Sequence, residues 1–218
     1  MKPRFSNKPT NALTLVEVLV IIAVLAVLWA LMMPAMDKRP RRIPRLVCVN
    51  NLNQIGIAFR LWEGDNNGKY PMAVSATNGG AMELVATGNI AACFQAMSNE
   101  LYMSKILLCP ADTHRALATN FSTLNNSNIS YFVGLDVTNH TNPQMVLDGD
   151  DNLTVGGMRI QPGILNLWTN AVVGWTKERH HGEGNIGLAD GSVQRLTTNG
   201  LQQALQQAGV ATNRLAVP

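Results

Sequence analysis

The sequence predicts an α+β fold, in which a long N-terminal hydrophobic helix, first transmembrane and then a stalk, packs on a small antiparallel β-sheet head. Three observations predict this class. An apolar run extends from Asn11 to Met36, an apolar stripe at helical spacing follows it, and an Asp-Gly pair separates two strand-like runs near residue 190. The remainder of the 218 residues is long enough to form one domain with a sizeable core.

The apolar run has the length of a membrane span. No charged side chain occurs from Val18 to Met36, which is close to the ~20 residues that a helix needs to cross a hydrocarbon core. Basic residues precede the run, as in a secretory signal peptide. The residues after Met36 are charged instead of small, which favours a retained anchor. We therefore predict a single-pass transmembrane helix.

Positive charge is concentrated on both sides of this run. The net charge is +3, and the basic residues in question are Lys2, Arg4, Lys8, Lys38, Arg39, Arg41, Arg42 and Arg45. The five basic residues that follow the run, from Lys38 to Arg45, are predicted to contact lipid headgroups. Because only three basic residues precede the run, the positive-inside rule leaves the orientation ambiguous. The rest of the chain has no basic stripe with interleaved aromatics, and no nucleic-acid partner is predicted.

Glu17 is an acid near the start of the apolar run. A carboxylate inside a membrane helix costs about 2.5–3.5 kcal/mol, so such a group is retained where a partner neutralises it. The alternative is that Glu17 lies at headgroup level, about one turn into the helix, where the cost is small.

The residues Ala12-Leu13-Thr14-Leu15-Val16-Glu17, after a short basic leader, resemble the processing site of type IV prepilins and type II secretion pseudopilins. The resemblance implies cleavage by a prepilin peptidase between Ala12 and Leu13 and N-methylation of Leu13. Glu17 would then pair with the new amine of a neighbouring subunit during assembly. Pro34 matches a proline that kinks the helix in many pilins. Ala12 departs from the usual glycine.

The resemblance further implies what the protein does and where it lies. The chain would be a structural, non-enzymatic subunit of a secretion-associated pseudopilus or type IV pilus-like filament. Its partners would be other pilin-like subunits, homo- or hetero-oligomeric, together with the prepilin peptidase, the assembly machinery and the membrane. It would cross the inner membrane once, with its head in the periplasm. Residues 1–12 would be the leader, 13–36 the transmembrane and assembly helix, 37–66 the stalk and 67–218 the head.

An apolar stripe predicts the stalk helix, from about Arg45 to Glu63. Its members recur at spacings of four, three, four and three, and are Cys48, Leu52, Ile55, Phe59 and Trp62. The turn residues 65–68 end it. Further along the chain we predict helices at 90–103 and 201–208 and strands at 129–133 and 171–175.

Several motifs resemble a large group of bacterial pseudopilin-like proteins, familiar from planctomycetes and verrucomicrobia. They are Asn50 to Gly56 with Phe59 and Trp62, Asp65 to Pro71, Leu108-Cys109-Pro110-Ala111-Asp112, and Ser130-Tyr131-Phe132. His180 is followed by nine residues and then Asp190-Gly191, which matches the group's His-x9-Asp-Gly element. The neighbouring His181 leaves open which histidine is equivalent.

Asp190-Gly191 has a structural interpretation without chemistry. An Asp-Gly pair between two strand-like runs is typical of a two-residue type I′ hairpin turn, in which both central residues have positive φ. Adjacent histidines point in different directions, and His114 and His140 have no ligand spacing with them, so we predict no metal or catalytic site. The competing hypothesis is a membrane-anchored enzyme or ligand-binding domain with a site around His180 to Asp190.

Two further hypotheses concern calcium and the cysteines. Asp148-Gly149-Asp150-Asp151-Asn152 offers oxygen ligands on a predicted turn, and some major pseudopilins bind calcium in a C-terminal loop, although this spacing is not that of an EF-hand. No other cofactor is expected. Cys48 and Cys109 both lie in family-like contexts, so the resemblance favours a disulfide between them. Because Cys48 also belongs to the apolar stripe, a buried thiol is the alternative.

Overall fold

The chain divides into two units, and a computed structural model describes its residues 14–36, 42–140 and 142–218. The first unit contains helix α1 (Leu15–Met36) and the second runs from Arg42 to Pro218. The second unit contains α2 (Arg42–Asp65), α3 (Met82–Ala86), α4 (Ile90–Ala96), α5 (Ser98–Leu101) and α6 (Thr198–Gln207). Single turns of 3-10 helix occupy Pro71–Ala73, Ala76–Asn78, Ser104–Leu107 and Asn126–Asn128.

Nine strands follow the first five helices in the part of the chain that is described. They are β1 (Tyr131–Gly134), β2 (Val146–Asp150), β3 (Leu153–Val155), β4 (Met158–Arg159), β5 (Gly163–Trp168), β6 (Val173–Trp175), β7 (Gly184–Leu188), β8 (Val193–Leu196) and β9 (Thr212–Val217). Six of them form one sheet in the order β5-β9-β1-β2-β7-β8, and β4-β3-β6 form a second. Every pairing is antiparallel.

Helix α1 begins with a reciprocal capping interaction. The Thr14 backbone N–H and hydroxyl both donate to Glu17 Oε2 at 3.0 Å, and the Glu17 N–H donates to Thr14 Oγ1 at 3.3 Å. A threonine followed three residues later by a glutamate is the capping-box pattern, which satisfies N–H groups that lack partners at a helix start. Glu17 therefore has a local structural role in its own helix.

The predicted membrane span is wrong. Within the described ranges, no helix combines the length and the apolar character that crossing a membrane requires. This finding overturns the transmembrane part of the predicted fold class, the description of residues 13–36 as a transmembrane helix, and the predicted single-pass location in an inner membrane. The α+β content and the antiparallel sheet are observed, but the helix that packs on the sheet is α2.

The predicted apolar stripe of α2 is buried. Cys48, Leu52, Ile55 and Phe59 are completely buried and Trp62 is 4% exposed, whereas Ile57 and Leu61 on the opposite face are exposed. Pro44 is tolerated because it lies in the first turn, where its missing N–H would have no helical partner. The helix ends at Asp65, before Asn67 and Gly68, which both have positive φ.

The large sheet is covered on both faces. Along β1, Tyr131 and Val133 belong to the core around α2, while Phe132 belongs to the core around α6. This alternation follows from the two-residue period of a strand. Because Asp148 pairs with Val133 and Asp150 with Tyr131, these two acids face the α2 side. The acidic segment 148–152, which was predicted to form a turn and was weighed as a source of calcium ligands, thus begins inside a buried strand.

Candidate functional site

A buried polar centre lies where α2 meets the sheet. It is formed by four side chains from four segments: Cys48 of α2, Cys109 after the 3-10 turn Ser104–Leu107, Asp150 at the end of β2, and His180 before β7. The structure joins Cys48 and Cys109 in a disulfide with a Cα–Cα distance of 5.4 Å. Cys93 is a buried free thiol whose pKa is raised by desolvation and by Asp148.

His180 is held in an unusual backbone conformation. His180, His181 and Gly182 have φ values of 53°, 59° and 81°, so three successive residues are left-handed. Histidine is uncommon in this region, and such residues concentrate at functional sites. The His180 carbonyl accepts a hydrogen bond from the Arg45 guanidinium of α2. The turn thereby directs one imidazole inward, and His181 stays exposed.

The His180 ring contacts two members of the centre. Its Nε2 lies 3.4 Å from Cys109 Sγ and 3.6 Å from Asp150 Oδ2. The His180 side chain is only 3% exposed and the Asp150 side chain is fully buried. Of the two adjacent histidines, His180 is therefore the one built into the fold.

Asp150 is only half satisfied. Its Oδ2 accepts hydrogen bonds from the Asn185 backbone N–H at 2.8 Å and from the Asn185 side-chain amide at 2.7 Å. Its Oδ1 is buried and has no hydrogen-bond partner in the described structure. A buried carboxylate oxygen without a partner is costly, so this atom needs an explanation.

Next to this centre lies a cluster of two arginines and two aspartates. Arg179 contacts Asp151 and also lies 3.1 Å from Asp112 Oδ2, and Arg115 Nη2 lies 2.5 Å from Asp151 Oδ2. Burial alone would raise the pKa of Asp112, but Arg179 and hydrogen bonds from His114 and Ser130 lower it below its usual value. The cluster joins the loop after Cys109 to the turn that carries His180.

Asp190 and Gly191 form the turn of a hairpin, as their sequence indicated, but the turn is of a different type. Gly191 has a φ of 85° and Asp190 does not have positive φ, so the predicted two-residue type I′ turn is wrong. The Gly191 N–H donates to the Leu188 carbonyl, and Asp190 Oδ1 accepts from the Ser192 N–H at 2.8 Å and its hydroxyl at 2.6 Å. Arg60 of α2 donates to the Asp190 carbonyl. The turn thus docks the β7-β8 hairpin on α2.

The other predicted site residues either belong to the first unit or are not among the residues that the structure describes. Ala12 and Leu13, the predicted cleavage and methylation positions, lie outside the described residues. Pro34 lies within α1, and its side chain is not described. Glu17 caps α1, and hydrogen bonds from Thr14 lower the pKa of its carboxyl.

Sequence reasoning missed Asp150, Arg179 and Asp151 as members of a buried polar region. The acids were interpreted as part of a turn because several lie together. The apolar Val146-Leu147 immediately before them is the signal from which a strand could have been predicted. Arg179 precedes His180 directly, but no spacing rule singles it out.

Comparison with known proteins does not assign a family or a function to the chain. No protein family, curated protein or solved structure matches the chain. The resemblance to pilin-like proteins consequently stays a prediction.

Proposed function

We propose that the chain is a pilin-like structural subunit that assembles into a filament through helix α1. The observation that supports this proposal is the surface of α1. The large apolar side chains from Leu15 to Trp29 are exposed by 44–80%, and they surround the helix instead of forming one stripe. A helix that is apolar on all sides is stable when it is buried on all sides.

Copies of the same helix are the cover that best fits this surface. A groove on a partner would bury one face, whereas a bundle of identical helices surrounds each member. Each Leu, Ile or Val side chain that is removed from water contributes about 1.5–3 kcal/mol, so a run of this length supplies a strong driving force for assembly. Trp29, which is 67% exposed, would add a large contact area near the middle of the helix.

Glu17 would set the register of that bundle. Hydrogen bonds from Thr14 lower the pKa of its carboxyl, which favours the anion at neutral pH. In an apolar bundle an anion needs a cation nearby, because an unpaired buried charge is strongly unfavourable. Cleavage between Ala12 and Leu13 would create an amine, and N-methylation keeps its charge. The amine of a neighbouring copy is the proposed partner.

The variant Glu17→Gln distinguishes the role of the Glu17 charge in assembly from its role in capping α1. Glutamine also completes a capping box, so the helix start is retained while the anion is lost. The full chain would be co-expressed with a prepilin peptidase, and filaments would be measured by electron microscopy and sedimentation. We expect filament yield to fall by about tenfold or more with this variant, while the intact mass shows that residues 1–12 are still removed.

Thr14→Ala is the matched control. It removes the cap and keeps the anion, so we expect filaments to form although the helix loses about 1 kcal/mol. If the Glu17→Gln chain assembles as the unchanged chain does, the register role of the charge is disproved. If filaments contain chains that still carry residues 1–12, processing is not part of assembly.

A further inference from the structure

We propose that Cys48, Cys109, Asp150 and His180 form a tetrahedral Zn²⁺ site when the disulfide between the two cysteines is reduced. One ligand atom from each of these residues lies within 4.8 Å of all the others, and all four residues are buried. Two thiolates, an imidazole and a carboxylate are ligand types that Zn²⁺ binds in proteins. The inference concerns the second unit alone and is independent of filament assembly.

The existing distances fit the edges of a zinc tetrahedron. With Zn–S of about 2.3 Å and Zn–N and Zn–O of about 2.0–2.1 Å, the sulfur-to-nitrogen edge is about 3.5 Å and the nitrogen-to-oxygen edge about 3.3 Å. The structure places Cys109 Sγ 3.4 Å and Asp150 Oδ2 3.6 Å from His180 Nε2. These two distances already match the edges of a zinc tetrahedron, and the other ligand atoms lie within 4.8 Å of one another.

The remaining change is the separation of the two sulfurs. Ligand sulfurs on one zinc lie about 3.8 Å apart, so the bond between Cys48 and Cys109 must first be broken. The Cα atoms are 5.4 Å apart, and a rotation about the Cα–Cβ bond of Cys48 moves its sulfur away from Cys109 without moving the backbone.

The unpartnered oxygen of Asp150 is an independent indication of a ligand. Asp150 Oδ1 is buried and without a hydrogen-bond partner among the described residues, while Oδ2 is fixed by Asn185. A cation bound at Oδ2, the oxygen that lies 3.6 Å from His180 Nε2, would compensate the buried charge that this carboxylate shares between Oδ2 and the unpartnered Oδ1. The two thiolates and the carboxylate would leave a net charge of −1 on the zinc site, and Arg179, which interacts electrostatically with Asp150, supplies nearby positive charge.

Before zinc can bind, the disulfide must be reduced, and a phosphine together with water supplies the electrons and protons for this reaction. The phosphine takes an oxygen atom from water and becomes a phosphine oxide, and the disulfide takes two electrons and two protons and becomes two thiols. Zinc binding then releases these two protons, because the thiolate is the ligand. All four positions are filled by buried protein ligands, which is the arrangement of a structural zinc site.

Zinc titration of the reduced full chain tests the inference. The chain would be reduced with a water-soluble phosphine without oxygen, and bound metal measured by native mass spectrometry. We expect one Zn²⁺ per reduced chain and none per oxidised chain. We also expect zinc to block alkylation of Cys48 and Cys109. A folded, reduced chain that binds no zinc would overturn the proposal.

The adjacent histidines provide a matched pair of variants. His180→Asn and His181→Asn both keep a residue that tolerates positive φ. We expect the first to weaken zinc binding by about 100-fold or more and the second to change it by less than about twofold. Equal losses would show that the site is not the one proposed.

Two further measurements test the proposal if the reduced chain unfolds, and test whether Cys93 is a ligand. If reduction unfolds the chain, zinc should restore the circular dichroism spectrum of the oxidised protein, and failure to restore it would refute the site. Cys93→Ser should bind zinc as the unchanged chain does, because Cys93 lies outside the ligand group. Loss of binding in this variant would identify the wrong cysteine as a ligand and contradict the proposal.

Discussion

At the scale of single residues, Asp148 is a buried carboxyl group with little hydrogen bonding. It is fully buried in β2, and neither of its oxygens makes a hydrogen bond of good geometry among the described residues, although the nearby Gly187 backbone acts to lower its pKa. Burial, with a further contribution from the charge of Asp150, raises its pKa from 3.8 to about 8. A Cβ at Gly187 would collide with Asp148 Oδ1, so glycine on β7 provides the space that this carboxyl occupies. At neutral pH Asp148 is predominantly protonated.

Asp148 makes stability depend on pH in a predictable direction. Between about pH 4 and pH 8 the folded chain holds a proton that the unfolded chain has released, so its contribution favours folding at low pH. That contribution declines by up to about 1.4 kcal/mol per pH unit as pH rises through this window. Asp148→Asn should remove the decline, and the difference in unfolding free energy between the variant and the unchanged chain should increase from pH 5 to pH 8. Urea unfolding at several pH values measures it.

Asp190→Asn provides the control for this measurement. Hydrogen bonds from Ser192 lower the pKa of Asp190, so its contribution is present above the unfolded pKa and is lost only in acid. From pH 5 to pH 8 this variant should differ from the unchanged chain by a nearly constant amount. A constant difference for Asp148→Asn as well would show that Asp148 does not titrate in this range.

At the scale of secondary-structure elements, α2 organises the larger of the two cores. Its buried face contacts the sheet and the short helices, and Phe59 makes edge-to-face ring contacts with Tyr70 at 5.4 Å and Phe94 at 6.5 Å between centroids. The same helix contributes Cys48 to the polar centre and Arg60 to the hairpin turn. Packing and the candidate site therefore depend on one element.

Phe59→Ala should lower the free energy of unfolding by about 3–5 kcal/mol, because it leaves a cavity between two aromatic rings in a fully buried position. Leu61→Ala, two residues along the same helix, removes a side chain that is 54% exposed and should cost less than about 1 kcal/mol. Chemical denaturation of both variants tests the prediction. Similar losses would mean that the assigned face of α2 is wrong.

The elements that the sequence predicted are those with a local pattern. The stripe of α2, the strand around Phe132 and the helix before Gly209 all have periodicity or turn residues of their own. The helix predicted at 90–103 is instead α4 and α5, separated at Met97, and an irregular segment follows. Strand β9 and the acidic β2 were missed because their structure depends on neighbours that are distant in sequence.

The candidate site was predicted only in part, because it too depends on contacts between residues that are distant in sequence. The resemblance favoured pairing Cys48 with Cys109 and singled out His180, but nothing local indicates that Asp150 lies beside them. That contact arises because Asp150 pairs with Tyr131 across the sheet and thereby faces α2. The predicted membrane span failed differently. It was based on the length of an uncharged apolar run, but no described helix combines the length and the apolar character that a membrane span requires.

At the scale of the whole molecule, the second unit has complete cores of its own. Both hydrophobic clusters consist of residues between Cys48 and Val217. The disulfide also lies within this unit and links residues separated by 61 positions. Closing a loop of this length restricts the unfolded chain and contributes roughly 4 kcal/mol in the chain-entropy account.

A chain of residues 42–218 should consequently fold alone. We expect a cooperative thermal transition with a midpoint within about 3 °C of that of the full chain, measured by circular dichroism under oxidising conditions. A chain of residues 67–218 is the control, and it should show no cooperative transition because it lacks the buried face of α2. If residues 42–218 do not unfold cooperatively, the second unit depends on the first.

The position of β9 has a consequence for folding during synthesis. It follows every other described strand in sequence, yet it lies between β5 and β1 and supplies the pairing partner of β5. On a ribosome, β5 therefore emerges with both edges open and must wait for residues 212–217 before it can join the sheet. Until then it presents unpaired backbone groups, so nascent chains arrested before residue 212 should be the species most prone to aggregate.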